Sequence, residues 1–422
     1  MNRPAEIDIP AVLQLLFNGS FAVVIKNMNQ FKFKYLLLAL VALCFFSSAS
    51  AKIKPSAEER DSYIRSAEVW NPIDVNSIDL FKGPLLPDAM SVGQTIECTF
   101  LDPEQDEKSL GGYTPKFSCL KDDGTRLKVK YGNRNAEVFS EVIGSRLLWA
   151  LGFSVDRNYS VDVICRDCPE NPWGYIKNLG SYERRRISYD PEIQERYYWF
   201  EQYLKADRVF SPAVIEIKHS GEKIENGSLI GWSFKELNSK YSNDLKIAAE
   251  QKTHRDALTL FMSILQHADS KPENQRLMCK EGMTVKKGKK KKVCKETIMI
   301  VQDLGWLFGG GFSKSLKSQL SRMRIDEWKS AKVWKDKKAC IANVKPILLN
   351  KGLKPTKISE KGRQFLVDQF SKLSKGQIID AFRAARLELQ GGNASKIPPE
   401  DWAEVLIEKM QEAKDNVCER EG

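Results

Sequence analysis

Apolar and polar positions change rhythm partway along this chain. Between residues 94 and 132 they alternate in short runs, Thr95–Phe100, Lys116–Leu120 and Arg126–Tyr131, with the turn Lys121-Asp-Asp-Gly124 between the last two. Alternation with period two puts successive side chains on opposite faces, so each run predicts a strand. Gly132 ends the third run, and Asn135 is placed to cap a helix that passes through Glu141 and Trp149 and stops at Gly152. Further strands are expected at Tyr159–Cys165 and Ala213–Lys218, on either side of an aromatic, charged insertion over 173–210.

After about residue 230 the period lengthens. Leu258, Phe261, Met262 and Leu265 recur at helical spacing in a predicted helix over 255–266, and the apolar run Thr297–Val301 reads as a strand. Ser374-Lys-Gly-Gln377 is a capping box for a helix over 377–389, and Glu400–Asn416 is amphipathic. Strands first and helices later predict an α+β fold with a strand-rich N-lobe over 91–220 and a helical C-lobe over 221–422. Residues 52–90, with their polar turns and prolines, predict an extension or strap.

The first fifty-one residues carry a different signal. Lys32 and Lys34 precede an almost purely apolar stretch, Tyr35 to Phe46, which leads into Ser47-Ser-Ala49-Ser50-Ala51. A basic region, a short apolar region and an Ala-x-Ala site, in that order, predict a secretory signal cleaved after Ala51, with Met28 as the expected start. The apolar stretch is too short for a bilayer, which needs about 20 apolar residues. Membrane contact is therefore expected only through this segment, if it stays uncleaved. The protein is expected to be exported, periplasmic or secreted. Eight cysteines remain after Ala51, and an even number in an exported chain favours disulfides. Sequence does not fix their connectivity. Three of the four obvious pairs flank turns, and the expected set is 98–119, 165–168, 279–294 and 340–418.

Composition narrows the function classes. Over 422 residues, 42 % hydrophobic and 29 % charged side chains exclude a disordered or fibrous chain. Three scattered histidines, His219, His254 and His267, argue against a His-rich metal site, and a single Cys-x-x-Cys argues against structural zinc. The net charge is +11, with a lysine run over 286–292, but no nucleic-acid module accompanies it, so no nucleic-acid partner is expected. That run reads as the solvated tip of a hairpin.

Three places carry candidate chemistry. His267-Ala-Asp269-Ser-Lys271-Pro-Glu-Asn274 closes the apolar helix, Gln302-Asp303-Leu304-Gly305 follows an apolar strand, and Lys130 on a strand precedes a helix bearing Glu137 and Glu141. Phosphoryl transfer needs a carboxylate near the acceptor hydroxyl, oxygen ligands for Mg²⁺ and cations for the phosphates. Asp269 suits the first task, Asn274 and Asp303 the second, and Lys130 and Lys271 the third. Glu141, mid-helix among apolar neighbours, needs a partner, and Lys130 is the expected one. Glu137, in the first turn, is accounted for by the helix dipole.

These residues carry a resemblance. The stretch 267–274 is similar to the His-Arg-Asp-Leu-Lys-Pro-Glu-Asn catalytic loop of protein kinases, and Asp303-Leu-Gly305 resembles their Asp-Phe-Gly metal motif. The likeness is confined to short motifs in the right order across about 130–305. It implies a bilobal protein-kinase-like fold in which Asp269 is the catalytic aspartate, Asn274 and Asp303 bind Mg²⁺, and Lys130 with Glu141 positions ATP. The pattern departs from the family in three ways. The glycine-rich loop is missing, leaving Gly111-Gly112 and Pro115-Lys116 to close over phosphates. Ala268 replaces the arginine, and Gly309-Gly-Gly311 stands where Ala-Pro-Glu would follow. These departures resemble the HipA-type and phosphoinositide-3/4-kinase-like branches. The resemblance implies an exported kinase that passes phosphate from Mg-ATP to a hydroxyl, on a protein or small-molecule acceptor. The alternative is a kinase-shaped scaffold without phosphotransfer.

Overall fold

The structure is a computed structural model that describes residues 52–103, 105–106, 110–112, 114–176, 205–234, 236, 245–287, 291–310, 322–344 and 355–419. The chain divides into two units, Met1–Ala51 and Lys52–Gly422. The first, with the expected signal segment, lies outside the described residues, as does most of the expected insertion.

Five strands close a barrel in the order β1-β2-β3-β5-β4: β1 (Gln94–Phe100), β2 (Lys116–Leu120), β3 (Arg126–Tyr131), β4 (Arg157–Cys168) and β5 (Ala206–Ile217). Neighbours run antiparallel except β1 and β4, which pair in parallel from Gln94↔Val161 to Thr99↔Arg166. Alternation decides what fills the barrel. Phe117, Leu127, Val129, Tyr159, Val161, Val163 and Ile215 pack in one cluster with Cys98 and Cys119. The intervening positions, including Lys116, Lys128, Lys130 and Glu216, face the other way. Strand β5 begins at Ala206, so the expected insertion over 173–210 is shorter at its end than the sequence suggests. The charged Asp207 and Arg208 mask strand character that pairing with β4 supplies.

Between β3 and β4 runs α2 (Glu137–Ala150), preceded by α1 (Ala57–Ser66) in the N-terminal strap. Helix α2 is buried almost all round, with only Trp149 partly exposed. A helix buried on every side belongs in a core rather than at a surface. Asn135 does not form the expected cap itself; Ala136 occupies that position, and the Asn135 side chain accepts from the Glu137 N–H at 3.2 Å. The strap is more ordered than its composition suggests. A Ser56–Glu59 capping box starts α1, and Ile53, Ile64, Ala67, Val69 and Leu80 join the large core.

The rest of the chain supplies α3 (Leu245–Ile264), β6 (Glu222–Lys223), β7 (Gln275–Cys279), the hairpin β8 (Thr284–Lys287) and β9 (Lys291–Cys294), and β10 (Thr297–Val301). Strands order β10-β7-β6 in a small antiparallel sheet. Of the lysine run, Lys286, Lys287, Lys291 and Lys292 lie on the paired β8 and β9 strands, and Lys291 and Lys292 pair with Glu59 and Glu222; the expected tip, 288–290, lies outside the described residues. The C-terminal part adds α4 (Ile325–Ser330), a short β11 (Trp334–Asp336) and β12 (Ile341–Ala342) pair, α5 (Glu360–Ser371), α6 (Lys375–Arg383) and α7 (Pro399–Asp415). The capping box at Ser374 is present, but α6 ends at Arg383; a left-handed Arg386 then breaks the expected helix to 389 into a separate turn. Trp328, Phe308, Phe382 and Trp402 pack against one another, and Trp328 Nε1 donates to the Ile264 carbonyl at 2.8 Å. Mixed strands and helices make this an α+β fold. Among the described residues, no helix is long and apolar enough to cross a membrane.

All four expected disulfides form: Cys98–Cys119, Cys165–Cys168, Cys279–Cys294 and Cys340–Cys418. The last has a sequence separation of 78 and ties the chain beyond α7 to the β11–β12 turn. Long closed loops restrict the unfolded chain most. Replacing both Cys340 and Cys418 by Ala should lower unfolding free energy by about 2–4 kcal/mol in urea titration. The pairwise change at the short 165–168 loop should cost less.

Candidate functional site

Lys130 lies on the outer face of β3, where α2 covers it. Its side chain is 2 % exposed, and its Nζ is held by three carboxylates: Glu141, Glu137 Oε2 at 2.7 Å and Asp303 Oδ1 at 3.4 Å. Burial works against the Lys130 charge, but Glu137, Glu141 and Asp303 together raise its pKa well above the ordinary value. One lysine does not balance three carboxylates. Burial, reinforced by repulsion from Glu137 and Glu216 against the pull of Lys130, pushes Glu141 up to about 7.

Helix α2 reaches this point because its spacing serves two neighbours. Glu137 and Glu141, four residues apart, share the face toward Lys130. Ser140 and Gly144 meet the segment after Asp303: Ser140 Oγ donates to the Gly305 carbonyl at 2.8 Å. A Cβ on Gly144 would come within 2.6 Å of Leu307, and one on Gly305 within 2.2 Å of Glu137 Cγ. Both glycines permit the close approach that brings helix and loop together. Glu137, which sequence reasoning set aside as a helix-dipole residue, is thus a partner of Lys130 in its own right. Its i, i+4 relation to Glu141 is the signal that pointed to it.

The two motif loops are held side by side by the small sheet. Gln275 at the start of β7 pairs with Val301 at the end of β10. Beyond them, the Ala268 N–H donates to the Trp306 carbonyl at 3.0 Å, and the Phe308 N–H to the Leu265 carbonyl at 2.9 Å. Asn274 Nδ2 donates to the Asp269 carbonyl at 2.8 Å, tying the loop across itself. Asp303 itself has φ of +55°, a left-handed conformation that Asp tolerates better than most residues. The Val301 N–H also donates to the Ser154 carbonyl at 3.0 Å, joining this sheet to the chain entering β4.

Electrostatics separates the two aspartates. Burial and repulsion from Asp303 raise the Asp269 pKa above the ordinary carboxylate value, against the pull of Lys271, whose Nζ lies 3.2 Å away. Burial also disfavours the Asp303 charge, yet Lys130, Lys128 and Lys116 hold its carboxyl well below the usual range. Lys116 pairs with Lys130 in the β2–β3 register and stands 5.6 Å from the Trp173 ring centre. It is 8 % exposed, has no ion-pair partner among the described residues, and burial lowers its pKa. Gly112 approaches it closely: a Cβ there would meet Lys116 Nζ at 3.1 Å. The structure therefore gathers Lys116, Lys130, Glu141 and Asp303 into one charged cluster, with Asp269 and Lys271 coupled to it through Asp303, and Asn274 bound to Asp269.

Sequence reasoning missed the second charged layer. Lys128 reaches Glu216 at 2.8 Å, Lys218 reaches Glu216 at 2.6 Å and Asp156 at 3.1 Å, and Asp156 also pairs with Arg276. Glu216 and Lys218 alternate with Ile215 and Ile217 on β5 and its exit, so the period of two held that signal.

The donors are hard oxygens of the kind a divalent cation takes. Asn274 uses its amide nitrogen within the loop, leaving its oxygen, and the Asp303 and Asp269 carboxylates are hard oxygen donors. Glu137, Glu141 and Asp303 can also bring ligand atoms within 4.8 Å of one another. Lys116, buried without an acidic partner among the described residues, is suited to an anion.

No protein-family model and no curated protein matches this chain. Among solved structures, the chain is similar to a Helicobacter pylori proinflammatory kinase, CtkA, at 12 % identity and a TM-score of 0.35, covering 76 % of this chain and 93 % of that one.

His267 is fully buried with neither ring nitrogen hydrogen-bonded among the described residues, and burial brings its pKa down to about 4, with Asp303 working the other way. The unfolded chain binds this proton near pH 6.5, so between there and pH 4 it holds more protons than the fold. Stability should therefore fall with acidification across that window, by up to about 3 kcal/mol. In His267→Phe this part of the slope should vanish from chemical denaturation measured between pH 7 and 4; an unchanged slope would assign it elsewhere.

Proposed function

We propose that this protein is an atypical kinase that transfers the terminal phosphate of Mg-ATP to a hydroxyl acceptor, and that it works after export. The observation that carries the reading is the meeting of Lys130, Glu141 and Asp303 at one point, from three separated parts of the chain. In this reading residues 91–220 form the nucleotide-side lobe, and 221–422 the lobe that carries the catalytic loop.

Mg²⁺ and ATP, when bound, supply the reacting phosphate and neutralise part of its charge. Asp303, kept ionised by its lysines, and the Asn274 amide oxygen would hold the cation. In this reading Lys130, held by Glu137 and Glu141, would contact phosphate oxygens. Lys116 adds a second charge beside the Gly111-Gly112 turn. Asp269 orients the acceptor hydroxyl and takes its proton. Its raised pKa brings it closer to the working pH than an ordinary aspartate, which favours proton acceptance late in the transfer. Lys271, paired with Asp269, offsets charge developing on the transferred group. The disulfides fit an oxidising compartment and so support the export part of the proposal.

Wild-type protein produced with its disulfides intact should show a Tm rise with Mg-ATP, since a ligand bound only by the fold must stabilise it. Asp303→Ala and Lys130→Ala should lose most of that rise, whereas Asp269→Asn should keep it and lose phosphate incorporation by at least about 10²-fold. Binding without turnover in the wild type would overturn phosphotransfer, and no shift at millimolar Mg-ATP would favour the scaffold reading.

A further inference from the structure

Three lysines are buried among the described residues: Lys116, Lys130 and Lys409. Two of them have partners that replace their lost hydration. Lys130 has its three carboxylates, and Lys409 Nζ donates to the Ala331 carbonyl. Lys116 differs: it forms neither an ion pair nor a hydrogen bond among the described residues. What lies against its ammonium is the ring of Trp173, with Nζ over the face and 5.6 Å from the centre. A buried ammonium ordinarily meets an oxygen acceptor. An aromatic face supports the charge without accepting a conventional hydrogen bond, so the N–H donors of Lys116 stay uncommitted.

The barrel builds the position of that ring. Phe117 and Tyr131 follow Lys116 and Lys130, the register pair of β2 and β3, and their own rings meet at 5.6 Å. Tyr131 also packs on Phe210, at 4.7 Å, and its Oη accepts from the Trp173 N–H at 3.2 Å. Two residues on, Tyr175 Oη donates to Asp102 Oδ2 at 2.8 Å, and its ring packs on Phe100. The segment around Trp173 is thus pinned on both sides, and Trp173 itself is buried. A desolvated ring attracts a cation more strongly than one in water. Lys116 needs this support, because like charges directly opposite on neighbouring strands repel. Burial and Lys130 oppose its charge, whereas Glu137 and Asp303 favour it from a distance.

We propose that Trp173 is a positioning residue of the candidate site: its ring holds the Lys116 ammonium beside Lys130 and leaves that ammonium's donors for the oxygens of a bound polyphosphate. A carboxylate in the ring's place would compete with phosphate for the same N–H groups. An aliphatic side chain would keep water out but give the charge no support. The proposal rests on the reading of this site as one that binds Mg-ATP, and adds to it the residue that prepares Lys116.

Calorimetric titration of the disulfide-intact chain with Mg-ATP and with magnesium tripolyphosphate tests it. Lys116→Met should weaken both ligands by at least about tenfold, and Trp173→Leu by about fivefold to tenfold. Trp173→Phe keeps an aromatic face and should recover most of the loss. Added to Lys116→Met, Trp173→Leu should cost less than about a further twofold, because the ring then has no ammonium to hold. A tryptophan that merely packs would give losses that add, and phenylalanine would rescue nothing in particular. Additive losses, wild-type affinity in Trp173→Leu, or equal losses in the phenylalanine and leucine variants would overturn the proposal and leave the Mg-ATP reading standing. A wild type that binds neither polyphosphate would overturn both. If Trp173→Leu fails to fold, Trp173→Met takes its place in the cycle.

Discussion

A lysine withdrawn from water keeps its charge only if nearby groups replace the lost hydration, and Lys130 makes this demand at the centre of the molecule. Burial alone would favour its neutral form; Glu137, Glu141 and Asp303 reverse that preference. Removing one carboxylate would still leave the ammonium two partners. Removing the lysine would strand three acids, which is the costlier loss. The arrangement therefore tolerates exchange of a carboxylate contact more readily than loss of the cation.

The same interaction explains the shape of α2. A helix bearing two glutamates on one face, and Ser140 with Gly144 on an adjacent one, has only one productive orientation between β3 and the 303–307 segment. Rotation about its axis would bury an unpaired glutamate or drive a side chain into Leu307 or Leu304. Buried charge and close packing thus fix the helix together, and the helix in turn fixes Asp303 relative to Lys130. Apolar burial supplies the general adhesion, while the ion pairs choose among otherwise similar packings.

Much of this was legible in the sequence because the signals were local. β2, β3 and β10 fall on the predicted ranges, since their alternation or apolar run, and the turns that bound them, lie within a few residues. The motif loops were legible for the same reason: Asp269, Asn274 and Asp303 follow elements whose ends are marked by Gln266 and Val301. What escaped detection depends on distant partners. Glu137 reads as a dipole residue until Gly305, 168 positions later, is seen to leave it room. Asp207 and Arg208 look like loop until β4 pairs with them. The strap looks like a polar extension because its buried residues, Ile53, Ile64 and Val69, are spaced by contacts to other segments and not by a helical or strand period.

The two aspartates show how far composition falls short of site chemistry. Asp269 and Asp303 are chemically identical, and both lose hydration, yet their pKa values move in opposite directions. The difference lies in the cations around them. Asp303 feels Lys130, Lys128 and Lys116, three lysines brought to one face by the β2–β3 register, whereas Asp269 has Lys271 alone and the repulsion of Asp303 as well. Neighbouring carboxylates pushed apart in this way divide the labour between a group that stays charged and a group able to take up a proton. The proposed reaction asks for both kinds of group, a metal ligand that stays charged and a proton acceptor that is not too acidic. The strand register that places Lys116 opposite Lys130 thus helps to separate the proton affinities of the two aspartates, and a change at β2 would be felt first in that of Asp303 and, through it, in that of Asp269.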